Sequence, residues 1–166
     1  MQRIDFKEWA LVCQALGEGR QTVLIRKGGI AEGREGFTFR HGEFFLFPTF
    51  FHEQLVRVRE SNGVLPEPSP GVIEIHYFAR IKETRVMTDW EEVRALEPFH
   101  ILKESVVRER FDYDEASGVH VAFVEVFCLA PVWRFPDSKR YGGCRSWVEL
   151  PDVPEGIGLA KAGAVD

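Results

Sequence analysis

The segment Val119 to Leu129 is almost wholly apolar and rich in β-branched and aromatic residues, broken only by His120 and Glu125. A run of this kind reads as a strand covered on both faces, which places it at the centre of a sheet. Gly71 to Lys82 is the second strong run. Ile73, Ile75, Tyr77, Ala79 and Ile81 alternate with Glu74, His76, Arg80 and Lys82, the pattern of a long strand with one wetter face. Shorter apolar stretches at Thr22–Arg26, Glu43–Phe47 and Arg145–Leu150 complete a set of five strands expected to share one sheet.

Helical signals are fewer. Phe6, Trp9, Cys13 and Leu16 fall at helical spacing, Asp5 and Glu8 spell a capping box, and Gly17 offers a stop. A first helix is therefore expected from Asp5. Thr49 is placed to cap a second over residues 50–60, with Phe51, Leu55 and Val58 on its buried side and His52 in its first turn. Thr88 with Glu91 predicts a short third helix, and Glu104–Phe111 a fourth with Glu104 and Arg108 at i,i+4. Residues 27–42 and 130–143 read as long connections, Val64–Gly71 as a proline-rich surface linker, and the tail after Pro151 as frayed. The expected fold is a single α+β domain over residues 1–150, with a mixed, mostly antiparallel sheet and helices packed on it.

Composition supports this reading. A chain of 166 residues, 45% hydrophobic with 14 Phe and 4 Trp, can bury an aromatic-rich core without staples. Its formal net charge of -5 argues against indiscriminate binding to nucleic acid or anionic membrane, while leaving room for a local basic groove. The cysteines are Cys13, Cys128 and Cys144, an odd number without metal-ligand spacing, which suits a reducing compartment. No apolar stretch approaches the roughly 20 residues of a membrane span. With no signal-like start, a cytoplasmic protein is expected.

Three strands end in polar, glycine-containing clusters: Arg26-Lys27-Gly28-Gly29, Pro48-Thr49 with His52, and Tyr141-Gly142-Gly143-Cys144-Arg145-Ser146-Trp147. Strand ends are where sheet folds build their sites. Together with Lys7-Glu8-Trp9, Leu24-Ile25 before Arg26, Phe45-Leu46-Phe47 before Pro48, and Pro98-Phe99-His100, these motifs resemble the bacterial family known as domain of unknown function 1802, over nearly the whole chain. That resemblance implies that the residues form one set; it transfers no reaction. The succession of Arg-Lys-Gly-Gly, Phe-Pro, a helix and a late Ser-Trp-Val-Glu-Leu segment also resembles the Nudix architecture. Phe50–Glu60 offers only Glu53 and Glu60, so that likeness implies a fold without the Nudix metal box.

The favoured chemistry is an anion site for a phosphate-bearing ligand, a nucleotide or a nucleic-acid end. Lys27, His52, Arg108 and Arg110 would supply charge, and Gly28, Gly29 and the helix N-terminus after Thr49 backbone N–H donors; Arg26 and Tyr141 complete the expected ligand-binding set. Point charge, planar fork and backbone donors are the mixture phosphate needs. The competing account leaves these cations solvated or paired with carboxylates such as Glu104 and Glu109. An alternative function is a small hydrolase or transferase with Cys144 as nucleophile, activated by His52 or His100. A zinc site from His52, His76, His100 and Glu74 lacks ligand spacing, and Glu125 lacks a lysine two residues on for a nuclease strand. No cofactor is expected, and no membrane partner.

Overall fold

The computed structural model describes residues 1–27, 37–61 and 63–163. Seven strands form one sheet: β1 (Ile4–Trp9), β2 (Val23–Arg26), β3 (Glu43–Thr49), β4 (Val72–Met87), β5 (Val119–Pro136), β6 (Trp147–Glu149) and β7 (Gly158–Lys161). Their order is β2-β5-β4-β3-β1-β6, with β7 added on β5. Only β1 and β3 run parallel; the other pairs are antiparallel. Three helices, α1 (Ala10–Gly17), α2 (Trp90–Arg94) and α3 (Glu104–Phe111), accompany the sheet. The fold class is α+β, as expected from the strand patterning.

Both strong runs lie side by side, β4 pairing with β5 from Val72↔Pro136 to Met87↔Val119. They are longer than their apolar patterns. β5 passes through the expected connection at 130–136 because Trp133 and Phe135 are buried in a second core cluster with Phe45, Phe78 and Tyr141. The main cluster, on the other side, gathers Phe6, Leu16, Leu24, Phe37, Phe44 and Trp147. The sheet curls until its edge strand β2 approaches β1. There Arg26 Nη2 donates to the Lys7 carbonyl, and its guanidinium lies 4.4 Å from the Phe6 ring centre.

Several expectations are corrected. Asp5–Trp9 is a strand, and the first helix begins only at Ala10. β1 lies between β3 and β6 with both faces covered, so its buried residues imitate the spacing of an amphipathic helix. Asp5 therefore caps nothing; its Oδ1 accepts the Val148 N–H of β6 at 3.0 Å. The helix expected over 50–60 shrinks to a 3-10 turn at His52–Val56. Thr49 ends β3 and donates its hydroxyl to the Glu8 carbonyl at 3.2 Å. The carbonyls of Thr49 and Phe51 are both taken by Gln54 Nε2 at 2.9 Å, which holds the chain in a turn. Asp89, not Thr88, caps α2, accepting from the Glu91 N–H. Arg108 pairs with Asp112 at 2.6 Å rather than with Glu104. The segment after Pro151 returns to the sheet: Gly158–Lys161 pairs with β5, and Val153 and Ile157 pack on the second core cluster.

Candidate functional site

A groove of about 1010 Å³ lies where α1, the end of β3 and the start of β4 meet the Pro66–Gly71 segment and residues 137–142. Drug- and cofactor-sized ligands typically occupy roughly 300–1,000 Å³, in apolar clefts carrying a few convergent polar groups. Local sequence explains each wall. Pro48 and Thr49 end β3 and turn the chain away, leaving Leu46 and Phe47 facing the opening. Three prolines keep residues 66–70 out of the sheet and form the opposite lip. The floor carries Tyr77, whose ring reaches this place only because residue 17 is glycine: a Cβ there would stand 2.1 Å from Tyr77 Cε1. Burial pushes the Tyr77 hydroxyl up to about 12, so it stays protonated.

Polar groups gather at the β4 side. The Glu74 carboxylate accepts from the Ser69 hydroxyl and lies 3.3 Å from Arg134 Nε and 3.7 Å from His76 Nε2. The Ser69 hydrogen bond is the main cause that holds Glu74 below the usual carboxylate range. Burial lowers His76, against the opposing pull of Glu74, so the imidazole is neutral at pH 7.

At the other end stands a cluster of cations on the segment 139–145. Lys139 lines the groove, Arg140 lies 5.0 Å from the Tyr141 ring centre, and Arg145 Nη2 donates to the carbonyls of Arg140 and Gly142. Among the described residues, none of these three cations has a carboxylate within 4 Å. Lys7 stands behind them on β1. It is 9% exposed, with Nζ 3.1 Å from the Gly143 carbonyl and 5.7 Å from the Phe47 ring centre. Burial lowers its ammonium, while Asp5 pulls the other way. Asp5 itself is fully buried; burial pushes its carboxyl up to about 8, and Oδ2 has no hydrogen-bond partner.

The anion cluster expected from sequence divides. Arg26, Lys27 and Arg110 share a small hollow of about 230 Å³ with Glu109 and Tyr113. Each is tied to the backbone, although Arg26 Nε is buried without a hydrogen-bond partner. Lys27 Nζ donates to the carbonyls of Phe111, Ala116 and Gly118 and lies 3.2 Å from Asp114 Oδ1, so it ties down the turn between α3 and β5. Arg110 donates to the Ile25 carbonyl at 2.7 Å and lies 4.9 Å from the Trp9 ring centre; burial lowers it to about 10, leaving it charged at pH 7. Arg108 turns elsewhere, 4.6 Å from the Trp90 ring centre. His52 is exposed and lines neither concavity. Gly28 and Gly29 lie outside the described residues. Of the expected set, Thr49 and Tyr141 alone line the large groove.

The cysteine alternative lacks its base. Cys144 is exposed, and among the described residues no imidazole hydrogen-bonds its sulfur. His100 is buried with Nδ1 accepting the Leu102 N–H, and burial pushes it down to about 4. No group of three or more metal-ligating side chains occurs among the described residues. Sequence reasoning missed Glu74 and His76 as lining residues of the same groove as Tyr141, and Lys7 beside Gly143. Their only signal was a cation and two polar residues inside otherwise apolar strand patterns.

The chain belongs to the family described as domain of unknown function 1802, whose model matches residues 5–158. The fold is similar to that of the ASCH protein of Zymomonas mobilis, with a TM-score of 0.51 and 12% identity over 89% of this chain and 87% of that one. A serine-to-alanine variant of the same protein aligns with a TM-score of 0.53 at 12% identity over 89% and 87%. A tyrosine-to-phenylalanine variant gives 0.51 at 12% identity over 91% of each chain. At this identity the likeness concerns the fold alone. It replaces the expected Nudix likeness, since the solved structures that match are ASCH folds. No curated protein matches the sequence. No helix of the described residues is long and apolar enough to cross a membrane.

Proposed function

We propose that the large groove binds a phosphate-bearing ligand with a planar ring, a nucleotide or the end of a nucleic-acid strand. The observation that carries this reading is an aromatic groove wall beside a run of cations of which Lys139 lines the groove. The wall carries Phe47, Phe50, Tyr77 and Tyr141. The run is Lys139, Arg140 and Arg145, whose charges no carboxylate of the described residues offsets within 4 Å. Aromatic faces accept any base, and unpaired cations attract phosphate, the combination used by single-strand binders. The groove is also lined by the carboxylates Glu67, Glu74 and Asp137, so the positive end is confined to the segment beside Lys139. Glu74 is held by Arg134, and Asp137 accepts the Ser138 N–H at 2.7 Å. In a chain of net charge -5, this end is a local exception.

The test is equilibrium binding of a fluorescent short single-stranded oligonucleotide and of adenosine monophosphate at low and moderate salt. The expected result is saturable binding that weakens with salt, and at least about a tenfold loss in an Arg140→Gln/Arg145→Gln double variant that melts like the parent. No binding, or binding that the double variant leaves unchanged, would contradict the reading.

A further inference from the structure

Among the carboxylates that line the groove, Glu74 is the one held from two sides. Glu67 is exposed on the lip, and Asp137 accepts the N–H of its own neighbour Ser138. The Glu74 side chain is 22% exposed. Its Oε1 accepts the Ser69 hydroxyl from the proline-rich lip, and its Oε2 lies 3.3 Å from Nε of Arg134, the cross-strand partner on β5. An ionised carboxylate offers about four lone-pair positions and only accepts. Ser69 takes one on Oε1 and Arg134 one on Oε2, so each oxygen keeps an open acceptor position. His76 Nε2, 3.7 Å from Oε2, is too distant to fill either. Ser69, His76 and Tyr77 line the same groove, with the His76 and Tyr77 ring centres 5.8 Å apart. The groove is thus divided: Lys139 at one end, and a fixed pair of acceptors beside an aromatic ring at the β4 end.

Resting on the groove reading above, we propose that Glu74 is the specificity-determining residue of the groove and that the base it selects is guanine. One open acceptor position on each oxygen of a carboxylate calls for two donors side by side. Guanine presents them on N1 and on its 2-amino group. Adenine and cytosine set an amino donor beside a ring-nitrogen acceptor, and uracil has a single N–H between two carbonyls. Each of these places a lone pair against the carboxylate, which a site built for two donors rejects. A base lying on Tyr77 has its edge beside the His76 and Glu74 side of the groove. His76 makes no hydrogen bond among the described residues, so its ring N–H is the neighbouring donor for the guanine O6 carbonyl. Ser69 first, and then Arg134, keep Glu74 ionised at neutral pH, as the pairing requires. The ligand class is a guanine nucleotide, free or as the end of a strand, with its phosphate toward Lys139.

The experiment measures equilibrium binding of guanosine, inosine and adenosine 5′-monophosphates to the wild type and to Glu74→Gln. A second arm uses short oligonucleotides that differ only in a terminal guanine or adenine. The wild type should prefer guanosine monophosphate to adenosine monophosphate, and to inosine monophosphate, which lacks the 2-amino group, by about tenfold or more. A glutamine offers one acceptor and one donor, the match of adenine, so in Glu74→Gln the preference for guanine should vanish or reverse. Adenosine monophosphate should bind this variant at least as well as the wild type. The same preference in the oligonucleotide pair assigns a strand end as the source, and a preference confined to the mononucleotides assigns a free nucleotide. Equal wild-type binding of guanosine monophosphate and either competitor overturns the Glu74 assignment and leaves the groove reading standing, as does a preference that survives in Glu74→Gln. No binding of any nucleotide or oligonucleotide overturns both. Should Glu74→Gln fail to fold, the ¹³C carboxyl resonances of the wild type decide. Guanosine monophosphate at saturation must move the Glu74 carboxyl carbon where adenosine monophosphate at saturation does not, and equal movement would overturn the proposal.

Discussion

Two ends of the curled sheet collect cations, and they differ in what those cations already hold. At the hollow beside β2 and α3, Lys27 is 10% exposed and surrounded by three carbonyls and a carboxylate, and Arg26 and Arg110 bond backbone carbonyls and lie on rings. At the groove, Lys139, Arg140 and Arg145 have no carboxylate partner among the described residues, and Lys7 has one carbonyl. Positive charge is therefore common to both ends; the hollow's cations bond backbone carbonyls, with Arg26 Nε left as a buried donor without a partner, whereas the cations beside the groove make fewer backbone bonds. Charge type alone, which is what a sequence displays, does not separate a staple from a binding group.

The sharpest break of this comparison is Lys27→Met. It leaves three carbonyls without their donor, and removing one partner of a buried hydrogen bond is costlier than the bond's own net worth. Urea denaturation should show a loss on the order of 3 kcal/mol, with ligand affinity of the folded protein unchanged. A loss below about 1 kcal/mol would make the hollow a free cation site after all.

Asp5→Asn probes the groove end through pH. The folded carboxyl titrates at about 8 against an ordinary 3.8, so its contribution to stability is full below the ordinary value and falls as pH rises through 8. The asparagine variant keeps an acceptor for the Val148 N–H and does not ionise. It should gain on the wild type between pH 5 and pH 8, by on the order of 4 kcal/mol at the upper end. A difference that does not change with pH would mean that Asp5 is ionised in the fold at pH 5.

Gly17→Ala acts on the groove floor alone. The new methyl would overlap the Tyr77 ring and drive it toward the opening. The expected stability loss is about 1 kcal/mol, accompanied by a clear fall in nucleotide affinity. Unchanged affinity would show that the ligand does not reach Tyr77. The smallest effect is expected for Arg108→Ala. Its pair with Asp112 is about half exposed, so denaturation midpoints should move by no more than about 0.5 kcal/mol and binding not at all.

How far the sequence is legible follows the same division. Strand β5 and the alternating part of β4 are readable because their faces differ in polarity or are both apolar over long runs. β1 misleads because burial on both faces erases the alternation, and Asp5-Phe6-Lys7-Glu8-Trp9 then matches a helix by chance. β7 escapes notice because Gly158–Lys161 is exposed and carries no apolar register; only ladder pairing with Phe127–Ala130 makes it a strand. The lining of the groove is readable only in part. Thr49 and Tyr141 follow from strand ends, whereas the neighbourhood of Lys7 with Gly143 joins positions at opposite ends of the chain. The engagement of Lys27 with Ala116 and Gly118 is equally a product of topology.

The central claim is that ligand binding belongs to the groove and not to the hollow. The most direct measurement is chemical-shift mapping of the ¹⁵N-labelled protein titrated with adenosine monophosphate. The account predicts a saturable set of shifts centred on Thr49, Glu74, Ser138 and Tyr141. Shifts centred on Arg26, Lys27, Arg110 and Tyr113, with the groove silent, would contradict it.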